Sequence, residues 1–246
     1  MNTQSITKFF VAAVCFIAFS TAAKADQLLD LVKEYSTFTP TASSAPGYYD
    51  STLVANFNAV FKTCKTAKGV AVRDSLCGVL KKAYEDVKAK GYNEITAGYY
   101  YLTSAYAKYK AKYGAPAAMY PDENSGLMKY KKFQTEDKQF IYKLTPGRDG
   151  WYCQNAANAS YIGTGNGDNW YSELITWTEE AQNEQLFTWM DEGQFFVADD
   201  VDSQTSRCIQ NASSLLETGG IFNWSTVGDP IVENTRGYNF WCLTRT

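Results

Sequence analysis

Asp168, Asn169, Trp170, Tyr171 and Glu173 fall within six consecutive positions. Two aromatic faces beside an amide and two carboxylates make a mixture suited to sugars. The flat ring covers the apolar C–H face of a pyranose, and the acids and the amide exchange hydrogen bonds with its hydroxyls. All six tryptophans lie in the second half of the chain, at 151, 170, 177, 189, 224 and 241. Trp170 and Trp224 stand in turn-rich surroundings, so they are the two expected at the surface. Asp168, Trp170, Tyr171, Glu173 and Trp224 are therefore the candidate ligand-binding residues. Trp is also the residue most often found at protein–protein hot spots, so a surface protein is an equally admissible ligand.

The glycines just before this group, "GTGNGDNW" (163–170), invite a phosphate-cradle or calcium-loop reading. A cradle needs a strand before it and usually a basic residue, and neither is apparent. The calcium-hand spacing is absent as well. The stretch reads as a turn that delivers a helix cap at Asp168 or Asn169.

The chain has no histidine. That removes Ser-His-Asp and Cys-His catalysis, histidine zinc sites and the imidazole proton shuttle. Carboxylate chemistry survives. Glu179, Glu180 and Glu184 lie at one end of an expected helix, the last two on the same face, and Asp199, Asp200 and Asp202 cluster after a strand. Either set could join a glycosidase pair or hold calcium, but no spacing is diagnostic. No catalytic residue, metal site or cofactor is assigned. A carboxylate hydrolase acting on polysaccharide is the alternative to a non-enzymatic binding protein, and a structural or assembly subunit is the second alternative.

Lys8, the apolar run Phe9–Phe19 and Ala23-Lys24-Ala25 have the form of a secretory signal peptide over residues 1–25. The chain is thus expected to be exported, to a periplasm or beyond. No transmembrane segment is expected after residue 25. Five cysteines follow the signal, and an oxidising compartment favours disulfides. Cys64–Cys77 would close a helical hairpin. Cys153–Cys242 would tie the start of the second domain to its end, leaving Cys208 free. Three Asn-x-Ser patterns, at Asn158, Asn211 and Asn223, are glycosylation acceptors in a eukaryotic host.

Charge divides the chain. Residues 26–113 hold 12 Lys/Arg and 8 Asp/Glu, whereas 114–246 hold 9 and 18. Between Arg148 and Arg207 there are eleven acids and no basic residue, a surface that repels nucleic acid.

The elements that must position these groups form an α+β pattern. Residues 26–113 predict a bundle of about four helices. Leu28, Leu31, Val32 and Tyr35 make one stripe. Leu53, Phe57, Val60, Phe61 and Cys64 make a second, capped by Asp50 or Ser51 and stopped at Gly69. Val70–Lys90 makes a third, stopped at Gly91. A fourth helix is expected from Asn93 to Gly114. Residues 114–246 predict an acidic, Trp-rich α+β domain with a mostly antiparallel sheet. Its strands are expected at "KQFIYKL", "WYCQN", "GQFFVAD" and "GYNFWCLTRT", and its helices over 171–192 and 203–217.

Overall fold

The structure is a computed structural model that describes residues 27–165, 173–198, 207–211, 221–226 and 241–246. The expected signal peptide lies outside them. The chain is α+β, with helices first and an antiparallel sheet after. It divides into two compact units, one of residues up to 44 with 48–93, the other of 45–47 with 94–246. The division falls at 93/94, ahead of the expected boundary at 113/114.

The first unit holds α1 (27–35), α2 (Ser51–Thr66) and α3 (Val70–Lys90). Their starts and stops follow from single residues. Asp50 accepts from the backbone N–H groups of Thr52 and Leu53, which otherwise have no partner in the first turn. Gly91 closes α3 at φ 66, a conformation that other residues adopt at a cost. The buried stripe runs through Leu28, Leu31, Tyr35, Val54, Phe57, Leu80, Ala83 and Val87. Tyr35 stacks on Tyr84 with ring centroids 4.0 Å apart. Cys64 and Cys77 are buried on the facing helices with no disulfide between them, and burial followed by the neighbouring Cys77 raises the Cys64 thiol.

Among the described residues the second unit holds twelve strands. They are β1 (Gly98–Ser104), β2 (Ala117–Asp122), β3 (Leu127–Lys132), β4 (Ile141–Pro146), β5 (Trp151–Asn155), β6 (Tyr161–Gly165), β7 (Glu173–Thr178), β8 (Leu186–Asp191), β9 (Gln194–Ala198), β10 (Arg207–Asn211), β11 (Ile221–Thr226) and β12 (Trp241–Arg245). Six of them close a ring. β1 pairs with β4, β4 with β5, β8 with β9, β9 with β12, and β12 with β1. The last joint, β5 to β8, is made by Trp151 and Gln185, which exchange two backbone hydrogen bonds of 2.9 and 2.8 Å. The other six strands form three hairpins, β2–β3, β6–β7 and β10–β11, and the first and third each pair with β7. Four strands thus recur three times, as a barrel with a cap of hairpins, the β-trefoil arrangement. Closure removes the edges that an open sheet would leave unpaired.

Alternation explains which side chains fill the barrel. Tyr100 and Leu102 of β1, Tyr142 and Leu144 of β4, Cys153 of β5, Phe195 and Val197 of β9, and Trp241 and Leu243 of β12 are all buried. Trp241 is fully enclosed, and its indole N–H reaches the Ile209 carbonyl at 2.8 Å.

Several expectations change here. The segment 93–114 is not one helix but strand β1 and a short helix, α4 (Ala107–Tyr113), because the tyrosine run alternates in and out of the barrel. The segment 171–192 holds β7 and β8 in place of a helix. Residues 207–211 of the expected helix 203–217 are strand β10, and the rest of it lies outside the described residues. The first glycines of "GTGNGDNW" belong to β6, so a strand does precede that loop. The Cys153–Cys242 bridge is also excluded by register. β5, β4, β1 and β12 are consecutive in the ring, so the two cysteines stand three strand spacings apart, roughly 14 Å around the sheet. A disulfide needs Cα atoms within about 7 Å. Both are free thiols; burial raises them, Cys242 to about 11.

Candidate functional site

Trp177 sits near the end of β7, beside the turn that joins β2 to β3. The backbone N–H of Trp177 donates to the Gly126 carbonyl at 3.2 Å, and its indole N–H donates to the Asp122 carbonyl at 3.1 Å. The ring also packs against the barrel core. Both ends of the side chain are thereby fixed. The polar edge of the indole is already spent on the protein, so what remains for a ligand is the ring surface.

The turn that holds Trp177 is itself braced. The Asp122 carboxylate accepts from Lys129 Nζ at 2.6 Å and from Ser125 Oγ at 2.6 Å. Those two donors, the lysine first, hold the Asp122 carboxyl below its ordinary range. The brace presents the next residue, Glu123, to a cavity of about 480 Å³. Glu123, Asn158, Ala159, Ser160, Trp177 and Glu179 line that cavity. Its volume is within the range of small-ligand sites.

Asn158, Ala159 and Ser160 arrive on the β5–β6 loop, which is tightly held. Asn158 Oδ1 accepts from the backbone N–H of Ser160 at 3.1 Å and from its hydroxyl at 2.6 Å. That leaves Asn158 Nδ2 facing Glu123 Oε1 at 3.5 Å, a long contact that a ligand hydroxyl can replace. Asn155, buried below the loop, donates to the Gln139 carbonyl at 2.8 Å and accepts from Ala157 N–H at 2.9 Å. Glu179 follows β7 in a turn closed by Thr178 Oγ1 on the Glu180 carbonyl at 2.8 Å. The arrangement offers one aromatic surface, two carboxylates that accept hydrogen bonds, an amide and a hydroxyl, on a scaffold that needs little reordering.

Asp168, Trp170 and Tyr171 lie outside the described residues. Glu173 opens β7 and pairs with Asn223 of β11, the residue before Trp224, so the backbones of these two candidates are neighbours. Their side chains lie outside the description. Asp199, Asp200 and Asp202 also lie outside it. Glu184 does not join Glu180 in a site. Its carboxylate accepts the backbone N–H groups of Arg148 and Asp149 at 2.8 Å and Gly150 at 2.7 Å, which holds it below its ordinary range. Glu184 thus locks the β4–β5 turn beside the β5–β8 joint.

A helix over 171–192 leaves Trp177 apart from the other candidates and offers Glu179 only in a carboxylate set with Glu180 and Glu184. A strand reading of "ELITWT" puts Ile175 into the core and Trp177 beside the cap. Asn158 carried a signal, the Asn-x-Ser pattern, but as a modification site and not as a pocket wall. Among the described residues no three His, Cys, Asp or Glu side chains converge to share a metal ion. Nor is any helix among them long and apolar enough to cross a membrane.

No protein-family model matches the chain, and no curated protein matches it. Solved structures similar to it include the Polyporus squamosus lectin bound to the epitope Neu5Aca2-6Galb1-4GlcNAc, with TM-score 0.46 and 13% identity over 62% of this chain and 50% of that one. A Macrolepiota procera ricin B-like lectin in complex with lactose is similar with TM-score 0.46 and 14% identity, over 63% of this chain and 100% of that one. The Rhizoctonia solani agglutinin is similar with TM-score 0.47 and 16% identity, over 63% and 99%. The chain spans half the length of the Polyporus lectin.

Proposed function

We propose that the strand-rich unit is a non-enzymatic glycan-binding module of an exported protein, and that a sugar ring lies against Trp177. The observation that carries this reading is the convergence of a fixed indole, two carboxylates, an amide and a hydroxyl on one small cavity. A cavity of that size suits one or two sugar rings better than the broad, flat contact of a protein partner. Export is part of the proposal and rests on the signal-like residues 1–25. So is a Cys64–Cys77 bridge formed in an oxidising compartment, which the burial of both thiols on facing helices supports.

The test is a glycan array probed with the wild-type chain, Trp177→Ala and Asn158→Ala. Wild type is expected to bind a subset of glycans, with at least a tenfold loss in Trp177→Ala, the size of a central aromatic contact. No glycan bound, or binding indifferent to both substitutions, would refute the reading. The same oligosaccharides incubated with the protein report on the hydrolase alternative, since Glu123 and Glu179 share the cavity. Appearance of new reducing ends, abolished by Glu123→Gln or Glu179→Gln, would replace a binding protein with an enzyme.

A further inference from the structure

A second cavity, of about 430 Å³, opens on the other side of the same β5–β6 loop, and Ala159 lines both. The two differ in charge. The first is walled by Glu123 and Glu179, the second by Lys138 and Lys143 with Tyr99, Gln154 and Asn155. Strand register places three of these side by side: Tyr99 of β1 pairs with Lys143 of β4, and Lys143 pairs with Gln154 of β5. Paired residues share a face of the sheet, so an aromatic ring, an ammonium and an amide stand abreast about 5 Å apart. Lys138 comes from the 3-10 turn just before β4. Both lysines are exposed, and neither ammonium makes an ion pair among the described residues.

The wall between the cavities is built with effort. Ala159 has φ 60, a left-handed conformation that residues with a side chain seldom take. It is held there by its N–H on the Asn155 carbonyl at 3.0 Å and by Gln154 Nε2 on its own carbonyl at 3.0 Å. One loop therefore fixes the relative position of a site for a neutral ring and a site with two unpaired cations.

We infer that this second cavity is an anion-accepting subsite, so that the preferred ligand is an acidic glycan: a ring against Trp177 continued by a uronate or sulfated residue between Lys138 and Lys143. This deepens the glycan-binding reading and rests on it. The acidic cavity alone would disfavour such ligands, and the lysines supply the compensating attraction on one side only. Binding is thereby directional along the saccharide.

The test is an array on which neutral oligosaccharides are printed beside their uronate and sulfated counterparts, probed with wild type, Lys138→Gln/Lys143→Gln and Trp177→Ala. Wild type is expected to bind the acidic member of a pair about tenfold more tightly at low salt, the product of two partly screened ion pairs. The double lysine variant loses that preference while its neutral binding is unchanged; both lysines are exposed, so its fold is kept. Trp177→Ala loses both. Raising the salt to about 1 M, where screening acts within about 3 Å, removes the preference in wild type. If wild type binds both members equally, or the double variant keeps the preference, the subsite is wrong and Trp177-dependent neutral binding still stands. If wild type binds no glycan, both readings fall together.

Discussion

Gly163→Ala tests whether the site depends on the close approach of β6 to β7. A Cβ at Gly163 would stand 2.8 Å from Thr176 Oγ1, 3.0 Å from the Thr176 carbonyl oxygen and 3.2 Å from Thr178 Cγ2. The middle contact is with backbone, so no side-chain rotation removes it, and β7 must move. Overpacking of this kind costs about 1–3 kcal/mol. For a unit of this size a 2 kcal/mol loss lowers the melting temperature by roughly 4–8 °C. The displaced strand is the one that carries Trp177, and Thr176 pairs with Leu127 at the very turn that pins the indole. Glycan affinity should therefore fall with stability. Tryptophan fluorescence is the assay of choice, because all six tryptophans lie between 151 and 241 and none in the helical unit. Its melting curve reports the strand-rich unit alone. Adding Thr176→Ala removes the 2.8 Å clash but leaves the carbonyl, so only part of the loss should return. It also removes the bond from Thr176 Oγ1 to the Thr164 carbonyl at 3.0 Å. An unchanged fluorescence melt in Gly163→Ala would show that β6 and β7 are not packed as described, and the placement of Trp177 would fall with it.

Glu184 gives a pH signature. Its backbone hydrogen bonds, Arg148 first, hold its carboxyl below the ordinary value of about 4.3. Its stabilisation is thus present above that pH and is lost as pH falls through the lowered folded value. The melting difference between wild type and Glu184→Gln should be constant near neutrality and vanish in strong acid; a difference that grows in acid would refute the assignment. Asp122→Ala frees the turn that presents Glu123 and should cost about 1–2 kcal/mol, since Lys129 is one-third exposed and its bond is partly screened. Glycan titration should weaken in parallel. In the helical unit, oxidation of Cys64 and Cys77 closes a short loop, which should stabilise that unit by about 3 kcal/mol. Far-UV circular dichroism with and without reductant measures this, and Cys64→Ser should erase the difference.

How much was legible depends on how local each element's cause is. α2 and α3 rest on a cap at Asp50, a break at 67–69 that ends α2 at Ala67 and starts α3 after Gly69, a stop at Gly91 and stripes three and four residues apart, all inside one segment of sequence. β4, β5, β9 and β12 were legible for a similar reason, since each carries alternating apolar residues between turn signals. β2 was hidden by Pro121, which is uncommon within strands, and which here pairs opposite Met128 in a hairpin of the cap. β7 and β8 were hidden by the run Glu179–Gln185, whose helix-forming residues bridge two strands and made 171–192 look continuous.

The candidate site was less legible than the fold because its parts come from separate turns of the repeat. Glu123 belongs to the first four-strand unit, and Asn158, Trp177 and Glu179 belong to the second. The pairing of Leu127 with Thr176, and the bonds of Trp177 to Gly126 and Asp122, bring the units together there. Neighbourhood in sequence points to Asp168–Glu173, where aromatic and acid are adjacent. A sugar site needs them adjacent in space, with the indole held from outside its own strand. Trp177 meets that requirement because its N–H ends on Asp122, whose carboxylate is held by Lys129 and Ser125. Any one of those links, cut singly, should loosen the ring without substituting a residue that lines the cavity, which is why Asp122 is as informative a position as Trp177 itself.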